Sequence, residues 1–274
     1  MEEELQQPAA CAFEASVVSD VGTEREHNED QCACFVESAS AGIVAIADGV
    51  SSFPAGETAS KTAIEATVRS YRQLSGMPLP RRLPRAVQQA NIDVYDLGVV
   101  VPELRGMATT LTALAIEDGA LTAAHVGDCR LYLCRAGAIT QLTKDHTVTG
   151  ERVRMGLMSE QRARNHRDRS TLTRCLGREL IVAIDRIGAP LQKDDALILC
   201  SDGLYNVVAE PEMLEIVRGQ PAASASRALV DAANERGTPD NVSAAVIKMI
   251  GATPEPRPRR GVLGHLARWI GRSA

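Results

Sequence analysis

The chain predicts an α+β sandwich, and three features of its sequence carry that expectation. Short β-prone runs are interrupted twice by a pair of helical segments, giving the order strands, two helices, strands, two helices, strand. The strands carry turn signals of the antiparallel kind between them. Three apolar runs also stop at an aspartate beside a glycine: Gly42 to Ala47 at Asp48-Gly49, Leu121 to Val126 at Gly127-Asp128, and Ala196 to Cys200 at Ser201-Asp202-Gly203. Each reads as a buried strand with a carboxylate at its tip, where glycine lets the backbone turn sharply or approach a ligand closely.

Residues 1–12 are polar and read as a flexible N-terminus. Ala12 to Val18 and Gln31 to Val36 are β-prone and flank the charged stretch from Thr23 to Asp30, which predicts a hairpin with a functional bend. Ala55 to Leu74 has helical composition, with Ala59, Ala63, Ala66, Val68 and Tyr71 on a rough stripe. Pro84 predicts the start of a second helix reaching Leu97, because proline suits a helix's first turn. Met107 to Ile116, Leu121 to Val126 and Leu131 to Cys134 return to strand pattern, joined by turns at Glu117-Asp118-Gly119 and Arg135-Ala136-Gly137. Residues 145–177 are polar and dense in arginine and read as an excursion from the sheet. After the Ala196 strand come helical stretches from Pro211 to Arg218 and Ala222 to Arg236, and a strand from Val242 to Ile250. The folded body thus spans 13–250.

Residues 251–260 have the composition of an extended Pro/Arg linker. In 261–274, Val262, Leu263, Leu266, Trp269 and Ile270 share one helical face opposite His265, Arg268 and Arg272, a short basic amphipathic helix suited to docking on a protein or membrane surface.

The apolar fraction of 45% is ample for a sizeable core. Seven cysteines without Cys-x-x-Cys spacing, and no leader-like segment, read as reduced thiols in a cytoplasmic protein. The apolar runs fall short of a membrane span. Of 30 basic and 35 acidic residues, five arginines and one glutamate lie in 251–274, leaving an acidic body at −9. An acidic body argues against a nucleic-acid partner, since phosphate backbones are bound mainly through Lys and Arg.

Asp48, Asp128 and Asp202 at strand ends, with Asp240 just before the Val242 strand, can converge on one side of a core. Clustered carboxylates repel one another and raise their own pKa values unless a cation compensates. An oxygen-rich set without clustered Cys or His suits Mg²⁺ or Mn²⁺ rather than zinc.

Nine segments, in order, resemble the metal-dependent serine/threonine protein phosphatases of type 2C (the PPM family), bacterial branch. They are Arg25-x-x-Asn28-Glu29-Asp30, Ala47-Asp48-Gly49, Ala55-Gly56-Glu57-x-Ala59-Ser60, Gly106 to Thr110, His125 to Arg130, Leu142-Thr143-x-Asp145-His146-Thr147, Leu172 to Gly177, Ser201 to Leu204, and Asp240 to Ser243. Each alone is a weak signal; together they span nearly the whole body from Ser16 to Met249. The resemblance implies an α-β-β-α sandwich, two packed antiparallel sheets flanked by helix pairs, with 145–177 as a flap subdomain bordering the active site. It implies that Asp48 bridges two Mn²⁺ or Mg²⁺ ions, that Asp202 and Asp240 hold the first, and that the Gly49 carbonyl with the Glu29/Asp30 pair completes the second. Asp128 with Asp202 would hold a third ion, and Arg25 would grip the substrate phosphate. Catalysis would then be attack by a metal-bridged water on phosphoserine or phosphothreonine, involving Arg25, Asp48 and Asp202 and opposing a partner kinase.

The chain departs from that family after Asp48-Gly49. Val50, Ser51, Ser52 and Phe53 stand where bacterial members continue Met-Gly-Gly-His, so a histidine proton donor is missing. That departure motivates an alternative, a catalytically weak or inactive pseudophosphatase that binds phosphoproteins. Retention of every expected carboxylate favours the enzyme. Cys129 replaces the family's usual serine and reads as structural, as do His125 and His146; the flap arginines read as a solvated face.

Overall fold

The computed structural model describes residues 12–50 and 55–251. Ten strands and seven helices follow in the order β1 (Phe13–Asp20), β2 (Asp30–Ser38), β3 (Ala41–Asp48), α1 (Gly56–Gln73), α2 (Leu79–Val100), β4 (Leu111–Glu117), β5 (Ala120–Val126), β6 (Arg130–Arg135), β7 (Ala138–Gln141), α3 (Val148–Arg154), α4 (Glu160–Arg164), β8 (Asp185–Pro190), β9 (Ala196–Cys200), α5 (Asp202–Tyr205), α6 (Glu210–Val217), α7 (Ala222–Glu235) and β10 (Val242–Met249). They form two five-stranded sheets, ordered β1-β10-β9-β6-β7 and β2-β3-β4-β5-β8, and every strand pair is antiparallel.

The period of two along each strand assigns side chains to layers. Val44, Ile46, Leu114, Ile116 and Ala123 face the other sheet, where they meet Leu131, Leu197, Leu199, Ala245 and Ile247. The alternate residues Ile43, Ala45, Ala47, Ala113, Ala115 and Ala124 face α1 and α2, which offer Ala59, Ala63, Ala66, Ala86 and Ala90 in return. Small residues on both sides let the helices lie close to the sheet. A third cluster joins β6, β9 and β10 to α6 and α7 through Ile198, Val246, Met213, Leu229 and Val230. The result is the helix–sheet–sheet–helix layering that the sequence predicts, and because β3, β4 and β9 are covered on both faces they read as unbroken apolar runs.

Three local expectations are corrected. β1 and β2 are not a hairpin: β1 pairs with β10 and β2 with β3, in different sheets. The 21–29 segment therefore crosses from one sheet to the other, a choice that only the long-range pairing of β10 can make. The second helix begins at Leu79, with Pro80 in the first turn where a missing N–H is harmless, and Pro84 lies buried inside it. The Met107 segment becomes a strand only at Leu111, since residues before it are spent on isolated bridges such as Thr109 to Leu176. β7 and β8 are short edge strands with half-exposed alternation and carry little sequence signal.

The 145–177 excursion holds α3 and α4 and returns to the body by hydrogen bonds between Thr109 and Leu176 in both directions (3.2 and 2.8 Å). Among the described residues, no helix is long and apolar enough to cross a membrane. The six described cysteines are free. The expected amphipathic helix at 261–274 and most of the linker lie outside the described residues, as do Ser51, Ser52 and Phe53.

Candidate active site

β2 and β3 end on each other, so Asp30 and Asp48 are partners in register at one rim of the sandwich. The β3 tip is held by the 109–110 segment: Asp48 N–H donates to Thr110 Oγ1 (3.0 Å), and its carbonyl accepts from Thr110 N–H and Thr109 Oγ1, each at 2.8 Å. Gly49 N–H donates to the Glu29 carbonyl at 3.1 Å. A Cβ on Gly49 would stand 2.6 Å from the Gly56 backbone, so the strand can pass the start of α1 only because this residue is glycine. A Cβ on Gly56 would likewise stand 2.9 Å from the Glu29 carboxylate, which places that side chain against the N-terminus of α1.

Asp202 opens α5 directly after β9 and accepts from Asn206 Nδ2 at 3.1 Å. Asp128 follows β5 and is buried, as is Asp30, whereas Asp48 and Asp202 keep a partial opening to solvent. Asp240 is also part-open, and its Oδ2 pairs with Arg25 Nη2 at 2.9 Å. Arg25 also reaches the Pro239 carbonyl at 3.3 Å. Arg130, a conceivable partner for Asp128, is instead bound bidentately to Asp145 and stacked 3.7 Å over the Tyr205 ring.

The electrostatics follow from this convergence. Desolvation pushes the Asp30 carboxyl up to about 7, with the charges of Asp202 and Asp240 adding to it and hydrogen bonds from Ser201 and Ser243 opposing. Asp202 is pushed up to about 6 by desolvation and the Asp240 charge. Asp48 is raised by burial and by Asp30, Asp202, Asp128 and Asp240; Asp128 is raised by burial and by Asp202 and Asp145. Burial first, and mutual repulsion second, disfavour the charged carboxylates here, a cost that a bound cation would relieve. Among the described residues, no three His, Cys, Asp or Glu side chains stand in closed metal-holding geometry. The donors brought together are all oxygens, the type that suits a hard ion such as Mn²⁺ or Mg²⁺. A separate groove lined by Ala33, Ile64, Val68, Arg69 and Arg72 contains none of these carboxylates.

Two residues gain structural roles that the motif spacing did not single out. Asn241, adjacent to Asp240, is buried and ties down the whole 21–29 crossing: its Oδ1 accepts from Glu29 N–H (2.8 Å), and its Nδ2 donates to the carbonyls of Val21 (2.8 Å) and His27 (2.9 Å). Ser201 donates to Asp30 Oδ2 at 2.7 Å and accepts from Ser243 N–H at 2.9 Å, bridging the two sheets beneath the carboxylates. Both neighbour an aspartate of the family-like segments, Asp202 and Asp240, and that adjacency is the signal the sequence offers for them. Cys129 is buried with its Sγ 3.2 Å from Thr110 Oγ1, consistent with a structural substitution.

A family model described as Protein phosphatase 2C matches residues 23–245. The serine/threonine phosphatase stp of Listeria monocytogenes serotype 4b is 33% identical over 235 residues, covering 84% of this chain and 93% of that protein. The crystal structure of the serine/threonine phosphatase PstP/Ppp of Mycobacterium tuberculosis superposes with a TM-score of 0.77 at 31% identity, covering 87% of this chain and 99% of that one. The catalytic domain of PstP in complex with two manganese ions gives a TM-score of 0.76 at 30% identity over 87% of this chain and 99% of that chain. Fold, family match and relatives agree: this chain belongs to the protein phosphatase 2C family of metal-dependent serine/threonine phosphatases.

Proposed function

We propose that Asp48, Asp202 and Asp240, with Glu29, Asp30 and the Gly49 carbonyl, hold two Mn²⁺ or Mg²⁺ ions, and that Asp128 with Asp202 holds a third. The observation that carries this is the convergence at one rim of Asp30, Asp48, Asp128 and Asp202, from four separate stretches of the chain, where burial and their mutual charges raise all four carboxyls. When bound, such ions supply an activated water and neutralise charge on the phosphoryl oxygens. The protein's own part is positional. Asp48 is locked by Thr109 and Thr110, Asp30 by Ser201, and the 21–29 crossing by Asn241, so the donors are preorganised.

Arg25 is assigned to the phosphate of a phosphoserine or phosphothreonine side chain, whose dianion matches the guanidinium fork. Its Asp240 contact is partly open to solvent, so a phosphate can take over one face of the guanidinium. His125 and His146 are not proton donors to the leaving alkoxide, because both are buried and engaged with backbone and threonine partners. The substrate is then a phosphoprotein, the partner a serine/threonine kinase whose action this enzyme reverses, and the compartment the cytoplasm, with the 261–274 helix docking the enzyme to a protein or membrane surface.

The test is hydrolysis of a phosphothreonine peptide and of an aryl phosphate with and without Mn²⁺, in wild type and Asp202→Asn. Wild-type turnover that requires Mn²⁺ and is lost in Asp202→Asn is the expected result. Metal binding without turnover in the wild type would favour the pseudophosphatase, and unimpaired turnover in Asp202→Asn would remove Asp202 from the site.

A further inference from the structure

Asp128 stands on a turn that one residue, His146, holds from both directions, through its ring and through its backbone N–H. Gly127 adopts a φ of 111°, and a Cβ there would collide with Thr110 Cβ and Cγ2, so the turn has no slack. Its N–H donates to His146 Nδ1 at 3.1 Å, and its carbonyl accepts from His146 N–H at 2.8 Å. The His146 carbonyl accepts from Thr173 N–H at 2.8 Å, which joins the two ends of the 145–177 flap.

The ring is wholly buried, and burial with the Arg174 charge keeps it neutral. Since Nδ1 accepts, the ring proton sits on Nε2, which faces Asp185 Oδ2 at 3.3 Å without closing a hydrogen bond. Asp185, in β8, accepts from Arg174 Nη1 at 2.7 Å, and Arg174 lies 3.9 Å from Glu151 of α3. His125, whose ring centroid is 4.6 Å away, shows the contrasting case: it is satisfied by Thr112 Oγ1 and the Lys144 carbonyl and links nothing else to the site. His146 touches the Asp128 turn, both ends of the flap and the Asp185–Arg174 pair at once.

We infer that His146 is a positioning residue for the Asp128 site: its Nδ1 side sets the turn that carries Asp128, and its Nε2 side, through Asp185 and Arg174, ties the flap to that turn. Cation occupancy at Asp128 and placement of the flap are thereby coupled. The inference rests on the reading of Asp128 as a cation ligand.

Two substitutions separate the two sides of the ring. His146→Asn puts an acceptor where Nδ1 lies and removes the Asp185 arm; His146→Gln puts a donor where Nε2 lies and removes the acceptor for Gly127. The readouts are the Mn²⁺ binding isotherm, from free Mn²⁺ by electron paramagnetic resonance, and the rate of trypsin cleavage after the exposed flap arginines Arg154 to Arg169. His146→Gln should weaken the weakest Mn²⁺ site about fivefold, the loss of one buried hydrogen bond, with His146→Asn within about twofold of wild type. Mn²⁺ should slow flap cleavage in wild type and cease to do so in His146→Asn. Asp185→Asn, at a half-exposed position, gives the same arm-cut readout if the His146 variants do not fold.

Equal weakening by both His146 variants, with parallel losses of melting temperature, would mean a merely structural histidine and overturn the inference. So would unchanged isotherms in both variants while Asp128→Asn weakens that site. An unchanged isotherm in Asp128→Asn would show that Asp128 is no ligand, and the inference would fall with that reading.

Discussion

Lowering the pH should weaken Mn²⁺ binding steeply, because the metal must displace protons that the folded site holds. Asp30 is pushed up to about 7 and Asp202 to about 6. At about pH 8 both are ionised and cost nothing to deprotonate. At about pH 5 both hold their protons, and freeing them costs on the order of 4 kcal/mol together, about three pH units in all at about 1.4 kcal/mol each. Total Mn²⁺ binding should therefore be on the order of a thousandfold weaker at about pH 5 than at about pH 8.

The same groups act on stability. A carboxyl whose folded pKa is raised contributes stability that is fully present below its unfolded value of 3.8 and lost as the pH rises through about 7. The buried histidines oppose this: His125, lowered to about 4, contributes stability present above the unfolded value of 6.5 and lost as the pH falls towards 4. Melting of the metal-free protein alone mixes the two signs. The gain in melting temperature on adding Mn²⁺ cancels the histidine part and isolates the carboxylates. That gain, and proton release measured by calorimetry in buffers of different ionisation enthalpy, should both be followed from about pH 5 to about pH 8. The gain should grow with pH, and at least about one proton per bound set should be released near pH 6 to 7, with the raised Asp48 and Asp128 adding to it. A gain independent of pH, with no proton released, would refute the raised carboxylates and with them the electrostatic case for the metal site.

Arg25→Ala should raise KM for a phosphopeptide about tenfold or more, the worth of a charge-assisted hydrogen bond, with Mn²⁺ affinity changed far less; an unchanged KM would remove Arg25 from the phosphate site. Asn241→Ala deletes three buried hydrogen bonds of the 21–29 crossing and should cost about 3 kcal/mol by denaturant unfolding, with turnover falling alongside. Loss of less than about 1 kcal/mol there would mean that the crossing holds itself. Truncation after Gly251, where the last described N–H groups of 250–251 bond the Ala12 carbonyl, should leave melting temperature and aryl phosphate hydrolysis nearly unchanged while altering action on the native phosphoprotein. A large fall in melting temperature would show that Trp269 packs into the body.

The residues themselves determined the layers and the candidate ligands. Runs such as Gly42 to Asp48 and Ala196 to Asp202 declare both a doubly covered strand and the carboxylate at its tip, because apolar period and turn chemistry are local properties of the chain. Helix pairs and the arginine-rich excursion are legible for the same reason, although Pro84 misled the start of α2, since a proline tolerated in a helix and one that begins it look alike in sequence.

Only the tertiary structure decided which distant segments meet. The pairing of β1 with β10, rather than with β2, brings Asp240, Arg25 and Asn241 to the rim beside Asp48, across more than two hundred residues of chain. No periodicity encodes that choice, because strand pairing is settled by which apolar faces can be buried together. The raised carboxylates, the Ser201 bridge and the double hold of His146 on Gly127 arise from the same convergence. Burial turns aspartates that would be ordinary surface acids in an isolated peptide into a cluster whose carboxyls are raised together.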